Sequence, residues 1–264
     1  MEHKDFQLQH KDLVREEFTR QAPAYADAPV IKDPLHLDKL VDAVRPAPEA
    51  RGLEVATGPG HVALAFARVC REVVGVDLTE APLKIANKMR EERGLSNVHF
   101  QLGDVEARLP FADGEFDVVV CRFAIHHFED PRIVVAEMSR LCRIGGTVAV
   151  EDLIASEHPD RAEYHNRFER LRDSSHTRVL SLSEMVRILA ASGLELVRFS
   201  SDGLPNPVER WFDSAQTPAD KRAMIERDLR EDLSGTNPRR IDGELFFTHR
   251  TAIVVTRKLK PAAS

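Results

Sequence analysis

A glycine turn follows the first predicted strand, and its spacing suits a site where backbone amides meet a ligand. Glu54 lies in the strand, and Gly58 and Gly60 follow it in the pattern Glu-x-x-x-Gly-x-Gly. Two such close glycines let the backbone approach a ligand, and the next helix adds the positive end of its dipole. Gly58-x-Gly60-x-x-Ala63 also fits the dinucleotide pattern GxGxxG/A. The turn predicts nucleotide binding, and an ordinary glycine turn is the alternative.

Two aspartates end the next two predicted strands. Asp77 ends the second strand, where a carboxylate can accept both hydroxyls of a ribose, as in NAD and S-adenosylmethionine sites. The alternative is a helix N-cap, a role that Thr79 could fill instead. Asp104 ends the third strand, where its carboxylate could accept the exocyclic amine of adenine while the amide of Val105 meets a ring nitrogen. A plain Gly-Asp turn is the alternative there.

Titratable side chains follow the fourth and fifth predicted strands. The segment 121–127 (CRFAIHH) ends the fourth strand, and Asp152 follows the fifth. His126, His127 and Asp152 are therefore candidates for a general base, because an imidazole with a pKa of about 6.5 suits that role at neutral pH. Structural roles are the alternative. Adjacent histidines diverge and no HExxH or HxH pattern accompanies them, so we expect no metal ion.

An alternation of strands and helices must position these residues. The predicted strands are 52–56, 72–77, 98–101, 116–121 and 147–150, and the predicted helices between them are 61–69, 82–93 and 131–141. This order is typical of βαβ units, which build a parallel sheet covered by helices. The predicted fold class is therefore α/β, with a doubly wound, mostly parallel sheet. Ligands of such sheets bind at the carboxyl ends of the strands.

The two ends of the chain have a different pattern. Residues 5–21 are predicted to form an amphipathic helix that ends at a break after Gln21. We interpret residues 1–48 as a helical lid. Residues 49–157 form the predicted nucleotide-binding core. Residues 158–264 are predicted to add C-terminal strands to the same sheet, with a polar insert on the substrate side, so that the whole is a single domain. The two C-terminal strands are predicted at 194–200 and 244–256.

Composition excludes several classes of protein. The 264 residues include 37 basic and 43 acidic side chains, a net charge of −6, so we expect no nucleic-acid partner. Three cysteines without a CxxC spacing argue against a disulfide framework and a structural zinc site, and they favour a cytoplasmic location. No apolar run approaches 18 residues, so we expect no membrane span.

The chain resembles the class I S-adenosylmethionine-dependent methyltransferases in four successive segments: LEVATGPGHVALAF, GVDLT, GDVEARLPFADGEFDVVVCRFAIHHFEDP and LCRIGGTVAVEDL. More narrowly, it is similar to the ubiquinone/menaquinone C-methyltransferases over about residues 50–155. Ala56 stands where that family usually has a first glycine, and Ile144 where it usually has proline. The resemblance implies a Rossmann-like fold and methyl transfer from S-adenosylmethionine to a small-molecule acceptor by in-line displacement, leaving S-adenosylhomocysteine.

The resemblance also implies which residues contact the cofactor. They are Tyr25, Ala56, Gly58, Gly60, Asp77, Leu78, Asp104, Val105, Cys121 and Arg122. The glycine turn would line the methionine moiety, Asp77 would bind the ribose hydroxyls, and Leu78 would pack on the adenine. The third strand end would bind the adenine edge, and the fourth would lie beside the sulfonium. Tyr25, in the predicted turn QAPAYAD, would lie near the methionyl group.

Four further residues are predicted to contact the acceptor. Phe123 follows the fourth strand. His176 and Arg178 lie in a polar segment that could clamp an anionic or carbonyl-bearing acceptor, and a solvated loop is the alternative. Trp211 could form an apolar lid with Phe212, and core packing is the alternative. Oxygen, nitrogen, carbon and sulfur acceptors all share this scaffold, so the acceptor atom stays open.

Two other functions fit parts of the pattern. The glycine turn with Asp77 also suits an NAD(P)-dependent oxidoreductase. Such an enzyme would need a hydride-transfer acid, for example a Tyr-x-x-x-Lys pair, and neither Tyr25 nor Tyr164 has lysine four residues later. A non-catalytic nucleotide-binding protein on the same fold would have the same binding residues.

Overall fold

Strands and helices alternate through the middle of the chain. The computed structural model describes residues 2–260, and the side chains of residues 9–260. The strands are β1 (Arg51–Val55), β2 (Glu72–Asp77), β3 (Val98–Leu102), β4 (Phe116–Arg122), β5 (Cys142–Leu153), β6 (Leu194–Pro207), β7 (Arg239–Ile241) and β8 (Glu244–Lys258). The helices are α1 (Glu2–Asp27), α2 (Pro29–Lys32), α3 (Pro34–Val44), α4 (His61–Phe66), α5 (Glu80–Glu92), α6 (Pro131–Leu141), α7 (Pro159–Arg172), α8 (Leu182–Ala191), α9 (Val208–Ser214) and α10 (Ala219–Arg230). The described residues include no helix that is both long enough and apolar enough to cross a membrane.

The described strands pair into one mostly parallel sheet. Its order is β3-β2-β1-β4-β5-β8-β6, and β7 pairs with β8. The first five strands in this order are parallel, whereas β8 is antiparallel to its neighbours. Val55 at the end of β1 lies between Val76 of β2 and Cys121 of β4. The chain winds in opposite directions from this point, which opens a crevice at the carboxyl ends of β1 and β4.

Apolar side chains cover both faces of the sheet. On β4, Val119 and Cys121 belong to one hydrophobic cluster, and Val118 and Val120 to the other. A strand buried on both faces needs apolar residues at successive positions, which explains the unbroken FDVVVC segment. The predicted α/β fold class, with its doubly wound, mostly parallel sheet, is confirmed.

The N-terminal region differs from the prediction. The expected break after Gln21 is wrong, because α1 continues to Asp27 with Pro23 inside it. A proline inside a helix removes one hydrogen bond and costs about 3 kcal/mol. Ala22 and Ala26 are buried on either side of it, so packing offsets that cost. Tyr25 therefore lies on a helix, and residue 1 of the predicted lid lies outside the described residues.

The C-terminal strands complete the sheet but are longer than predicted. β6 continues past Ser200 to Pro207, because β8 pairs with it along almost its whole length. β6 is an edge strand, where proline is tolerated. Trp211 of the polar insert belongs to a separate apolar cluster, in which it packs with Phe168 of α7 and Phe247 of β8. Residues 261–264 of the predicted C-terminal region lie outside the described residues.

Candidate active site

A cavity opens at the carboxyl ends of the parallel strands. We call it the strand-end cavity; its empty volume is about 930 Å³ with the solvent at its mouth. The strand-end residues that line it are Glu54, Ala56, Thr57, Gly58, Asp77, Leu78, Asp104, Val105, Arg122 and Phe123. Tyr25 lines it from α1. Four separate strand ends thus contribute to one cavity, as the sequence predicts. Of the cofactor-side residues predicted, Gly60 and Cys121 are the ones that do not line it.

The glycine turn adopts a backbone that few side chains tolerate. Ala56, Gly58 and Gly60 have φ angles of 53°, 51° and 82°. A Cβ on Gly60 would lie 2.6 Å from the ring of Phe100, so the turn also needs its small size. Ala56 holds the left-handed conformation at a cost that glycine would avoid.

Asp77 holds the glycine turn in place. Its Oδ2 accepts a hydrogen bond from the Gly58 amide at 2.7 Å, and its Oδ1 accepts one from the Thr79 amide at 2.9 Å. Burial raises the pKa of Asp77, although these hydrogen bonds oppose the shift. Thr79 occupies the N-cap position of α5 but makes no capping bond with its side chain. Each carboxylate oxygen can accept a second hydrogen bond from the cavity side.

Glu54 ties the turn to α4 from within the sheet. Its exposed fraction is 2%, and its Oε2 accepts hydrogen bonds from the Ala63 amide, at 2.8 Å, and from the Thr57 hydroxyl. Burial raises the pKa of Glu54 to about 8, against the effect of these donors. The carboxyl group therefore satisfies a free amide at the start of α4.

Helix α1 covers the cavity on the side of the third strand. Lys11 donates to Oδ2 of Asp104 at 2.7 Å, and the Glu106 amide donates to Oδ1 at 2.9 Å. Val14 and Phe18 of the same helix also line the cavity. The sequence predicts a helical lid here but not these contacts, because the helix and the turn are more than 90 positions apart.

The end of β4 places a buried ion pair at the wall of the cavity. Arg122 Nε lies 2.8 Å from Glu151 Oε2, and the two side chains are 3% and 6% exposed. The same guanidinium donates to the backbone oxygens of Val30 and Ile31, which fixes α2 against the strand ends. Cys121 differs from the prediction: its side chain is fully buried in the core and does not line the cavity.

A second hollow adjoins the first. We call it the histidine hollow, after His126, His127, His176 and His249 in its wall; its empty volume is about 690 Å³ with open solvent. Side chains shared by both spaces are Phe18, Tyr25, Ile31, Phe123 and His127. These shared, mostly aromatic residues therefore form a layer that contacts both spaces.

His126 forms a buried pair with Asp152. The His126 Nδ1 lies 2.5 Å from Asp152 Oδ1, and no hydrogen bond within the described residues involves the His126 Nε2. Burial lowers the pKa of His126, but the charge and hydrogen bond of Asp152 outweigh burial and raise it overall. The ring lines the histidine hollow, so this imidazole has one nitrogen fixed and one available.

His127 has the opposite electrostatic environment. Burial, with a smaller effect from the charge of His126, lowers the pKa of His127 to about 4. Its Nδ1 lies 3.1 Å from the backbone oxygen of Ser175 and donates to it, while the ring of Phe18 packs edge-on at 5.0 Å. His127 is therefore neutral at physiological pH, with its Nε2 free of a proton.

The predicted acceptor residues are only partly brought together. Phe123, His176 and Trp211 line the histidine hollow. Arg178 lies outside both spaces, half exposed, and pairs with Glu184 at 2.8 Å. The arginine in the wall of the hollow is instead Arg172, whose Nε donates to the backbone oxygen of Trp211 at 3.0 Å.

The strand-end cavity suits S-adenosylmethionine. It combines a buried carboxylate, Asp77, with a glycine turn and with the apolar side chains of Leu78 and Val105. The carboxylate could accept hydrogen bonds from ribose hydroxyls, the glycine turn could contact an amino-acid tail, and the apolar side chains could pack on an adenine.

Comparisons with known proteins agree with this geometry. A family model described as a methyltransferase domain matches residues 53–150. An uncharacterized methyltransferase of Bacillus subtilis, YcgJ, is 36% identical over 208 residues, 79% of this chain and 82% of that protein. Its crystal structure has a TM-score of 0.80 and 32% identity, and the match covers 85% of this chain and 98% of that one. A ubiquinone biosynthesis O-methyltransferase of Thiobacillus denitrificans is 40% identical over 116 residues, 44% of this chain and 49% of that protein.

The fold and the relatives together define an enzyme class. The chain belongs to the class I S-adenosylmethionine-dependent methyltransferases. It is a methyltransferase, and the cofactor of this class is S-adenosylmethionine. The alternative of an NAD(P)-dependent oxidoreductase is therefore not retained.

Proposed function

We propose that this enzyme methylates a small-molecule acceptor bound in the histidine hollow, at a hydroxyl oxygen that loses a proton. The observation that carries the proposal is the His126–Asp152 pair, at 2.5 Å, beside a space that adjoins the cofactor cavity. A base is needed only when the nucleophile carries a proton, so this pair favours a hydroxyl over a thioether or a tertiary amine.

The residues of the strand-end cavity would orient the cofactor. Asp77 would bind the ribose hydroxyls, the turn at Gly58 the methionyl tail, and Val105 the adenine edge. When bound, S-adenosylmethionine would supply a methyl group activated by its sulfonium, with S-adenosylhomocysteine as the leaving group of the in-line displacement. Holding the acceptor oxygen in line with that methyl group is worth about 7–11 kcal/mol of the barrier. The shared layer of Phe18, Tyr25 and Phe123 would exclude water from the path.

The proton would move to the free nitrogen of His126. The acceptor hydroxyl donates to Nε2, while Asp152 holds the Nδ1 proton and stabilises the resulting imidazolium. His127 stays neutral because its pKa is low, so it can position the acceptor without adding a charge beside the sulfonium. The ring centroids of His126 and His127 are 4.3 Å apart, so one acceptor can contact both rings.

The walls of the histidine hollow indicate a flat acceptor. Phe18, Phe123 and Trp211 line it with aromatic rings, and Arg172 adds a positive charge stacked on Trp211 at 5.0 Å. Aromatic rings prefer edge-on or offset contacts with other rings. An aromatic or enolic hydroxyl with an anionic substituent fits this surface, and similarity to a ubiquinone biosynthesis O-methyltransferase agrees with it.

A labelling experiment tests the proposal. The enzyme is incubated with methyl-labelled S-adenosylmethionine and a metabolite extract, and label is measured separately in small molecules, protein and nucleic acid. We expect label in a small molecule with a new methoxy group, and at least about 100-fold less of it with His126→Asn. The control variant is Asp160→Asn, on the exposed start of α7. Label only in protein or nucleic acid, or full activity of His126→Asn, would contradict the proposal.

A further inference from the structure

Three metal-binding side chains converge behind the histidine hollow. His165 and Glu169 are one helical turn apart on α7, and His249 approaches them from β8. Their exposed fractions are 3%, 2% and 4%. One ligand atom from each lies within 4.8 Å of the other two. Two imidazoles and one carboxylate are therefore gathered in a buried place.

We propose that His165, Glu169 and His249 bind a divalent transition-metal ion of the zinc type. Imidazole nitrogen with carboxylate oxygen is a ligand set that suits Zn²⁺ and its first-row neighbours. Magnesium and calcium prefer sites made of oxygen atoms, so they fit this set poorly. Three protein ligands leave at least one coordination position open.

The distances are close to those of a metal site. His165 Nε2 lies 3.5 Å from Glu169 Oε1. Ligands about 2.0–2.1 Å from a tetrahedral ion are about 3.4 Å apart, so this pair already has the right spacing. His249 Nε2 lies 2.5 Å from the same oxygen, as a hydrogen-bonded pair. An ion would replace that proton, and the distance between these two atoms would increase by somewhat less than 1 Å.

The amide of Asn206 is placed to support His249. Its Nδ2 lies 3.0 Å from His249 Nδ1. When an ion binds the His249 Nε2, the ring proton moves to Nδ1. A rotation of the Asn206 side-chain amide by 180° would then let its oxygen accept a hydrogen bond from Nδ1. Such a partner on the second ring nitrogen is usual for histidine ligands and fixes the orientation of the ring.

Hydrogen bonding alone does not account for the cluster. The His249–Glu169 bond satisfies those two residues, but the Nε2 of His165 is buried without a partner among the described residues. A buried polar atom that lacks a partner destabilises the fold, and a bound ion would remove that cost.

An ion has access to the cluster from two sides. His165 lines a small polar hollow with Ser234 and Thr236, whereas Glu169 and His249 line the histidine hollow. The open coordination position would thus face space that water or an oxygen of the acceptor can enter. The ion would join α7 to β8 at the wall of the proposed acceptor site.

Metal binding can be measured without any acceptor. The full chain is treated with a chelator, dialysed and titrated with CoCl₂ by visible absorbance and with ZnCl₂ by calorimetry. We expect one ion per chain and an affinity at least about tenfold weaker in His165→Gln and in Glu169→Gln. His165→Gln is the sharper variant, because among the described residues the His165 Nε2 has no hydrogen-bond partner whose loss would disturb the fold.

Matched controls separate the site from the surface. His158→Gln and Glu163→Gln remove the same side-chain types at exposed positions of the α7 region, and both should bind the ion like the wild type. Equal binding by His165→Gln and wild type, or no ion bound by the wild type, overturns the proposal. S-adenosylhomocysteine binding, measured on the same samples, should be unchanged in all variants. Failure of the metal site would thus leave the proposed methyl transfer standing.

Discussion

The Nζ of Lys11 lies 2.7 Å from Oδ2 of Asp104, and this contact joins helix α1 to the turn after β3. The same ammonium lies 3.4 Å from Glu106. All three side chains are mostly buried, so the pair is less screened by water than a surface pair. An ion pair thus holds the helix that covers the strand-end cavity to the turn that we propose binds adenine. We expect this contact to open during cofactor exchange.

Lys11→Met should speed the exchange of S-adenosylhomocysteine. Methionine keeps an apolar stem but removes the charge, and a partly buried pair contributes about 1 kcal/mol, or about fivefold in a rate. We expect association and dissociation rate constants to rise together, with little change in affinity, as measured by surface plasmon resonance. Lys84→Met is the control, because its pair with Glu80 is exposed on α5. An unchanged dissociation rate would exclude Lys11 as the contact that limits exchange.

Asp77→Asn should weaken S-adenosylhomocysteine binding by about 10-fold or more. The substitution keeps the shape of the side chain but removes the charge that would accept the ribose hydroxyls, and hydrogen bonds to charged groups contribute about 1.5–3 kcal/mol. Isothermal titration calorimetry measures the change, and NADH should bind to neither protein. Asp38→Asn, in a surface pair with Arg68, is the control. Wild-type affinity in Asp77→Asn would show that the ribose lies elsewhere.

The His126–Asp152 pair should make stability depend on pH. Because the folded-state pKa of His126 is raised, its protonated form stabilises the fold fully below the unfolded value of about 6.5. That contribution is lost as the pH rises through the folded-state pKa. The free energy of unfolding of the wild type minus that of Asp152→Asn should therefore be largest near pH 6 and decrease toward pH 9 in urea titrations. The titratable groups that face His126 are Asp152, Glu169, Asp173, His127 and His176.

The control for this measurement is Asp130→Asn. Asp130 caps α6 and does not line the histidine hollow. Its effect on the free energy of unfolding should stay constant between pH 6 and pH 9. If the free-energy difference between the wild type and Asp152→Asn instead grew with pH, the folded state would favour the neutral form of His126.

The strand ends could be predicted from the sequence because their signals are local. The apolar residues of β4, the turn at Gly58 and the position of Asp77 depend on neighbours within a few residues. Parallel strands bring their carboxyl ends to one edge, so residues at four predicted strand ends line one cavity.

The contacts across the site could not be predicted in this way. Lys11 meets Asp104, and Glu169 meets His249, over 93 and 80 positions of the chain. No spacing in the sequence records such pairs, because they depend on how helices dock on the finished sheet. Pro23 misled the prediction for a related reason: local propensity favours a break, and the packing of α1 overrides it.

Ala56→Gly should stabilise the protein. Ala56 has a φ of 53°, and the left-handed region costs a residue with a Cβ about 1–2 kcal/mol. Glycine removes this cost but increases the entropy of the unfolded chain, so we expect a net gain of about 0.5–1 kcal/mol in the free energy of unfolding. Urea titration measures it, and Ala136→Gly is the matched control. Ala136 is exposed in the middle of α6, where glycine should cost about 1 kcal/mol. The same chemical change should therefore have opposite signs at the two positions; a loss at both would mean that the Ala56 methyl group contributes more by its packing than its backbone conformation costs.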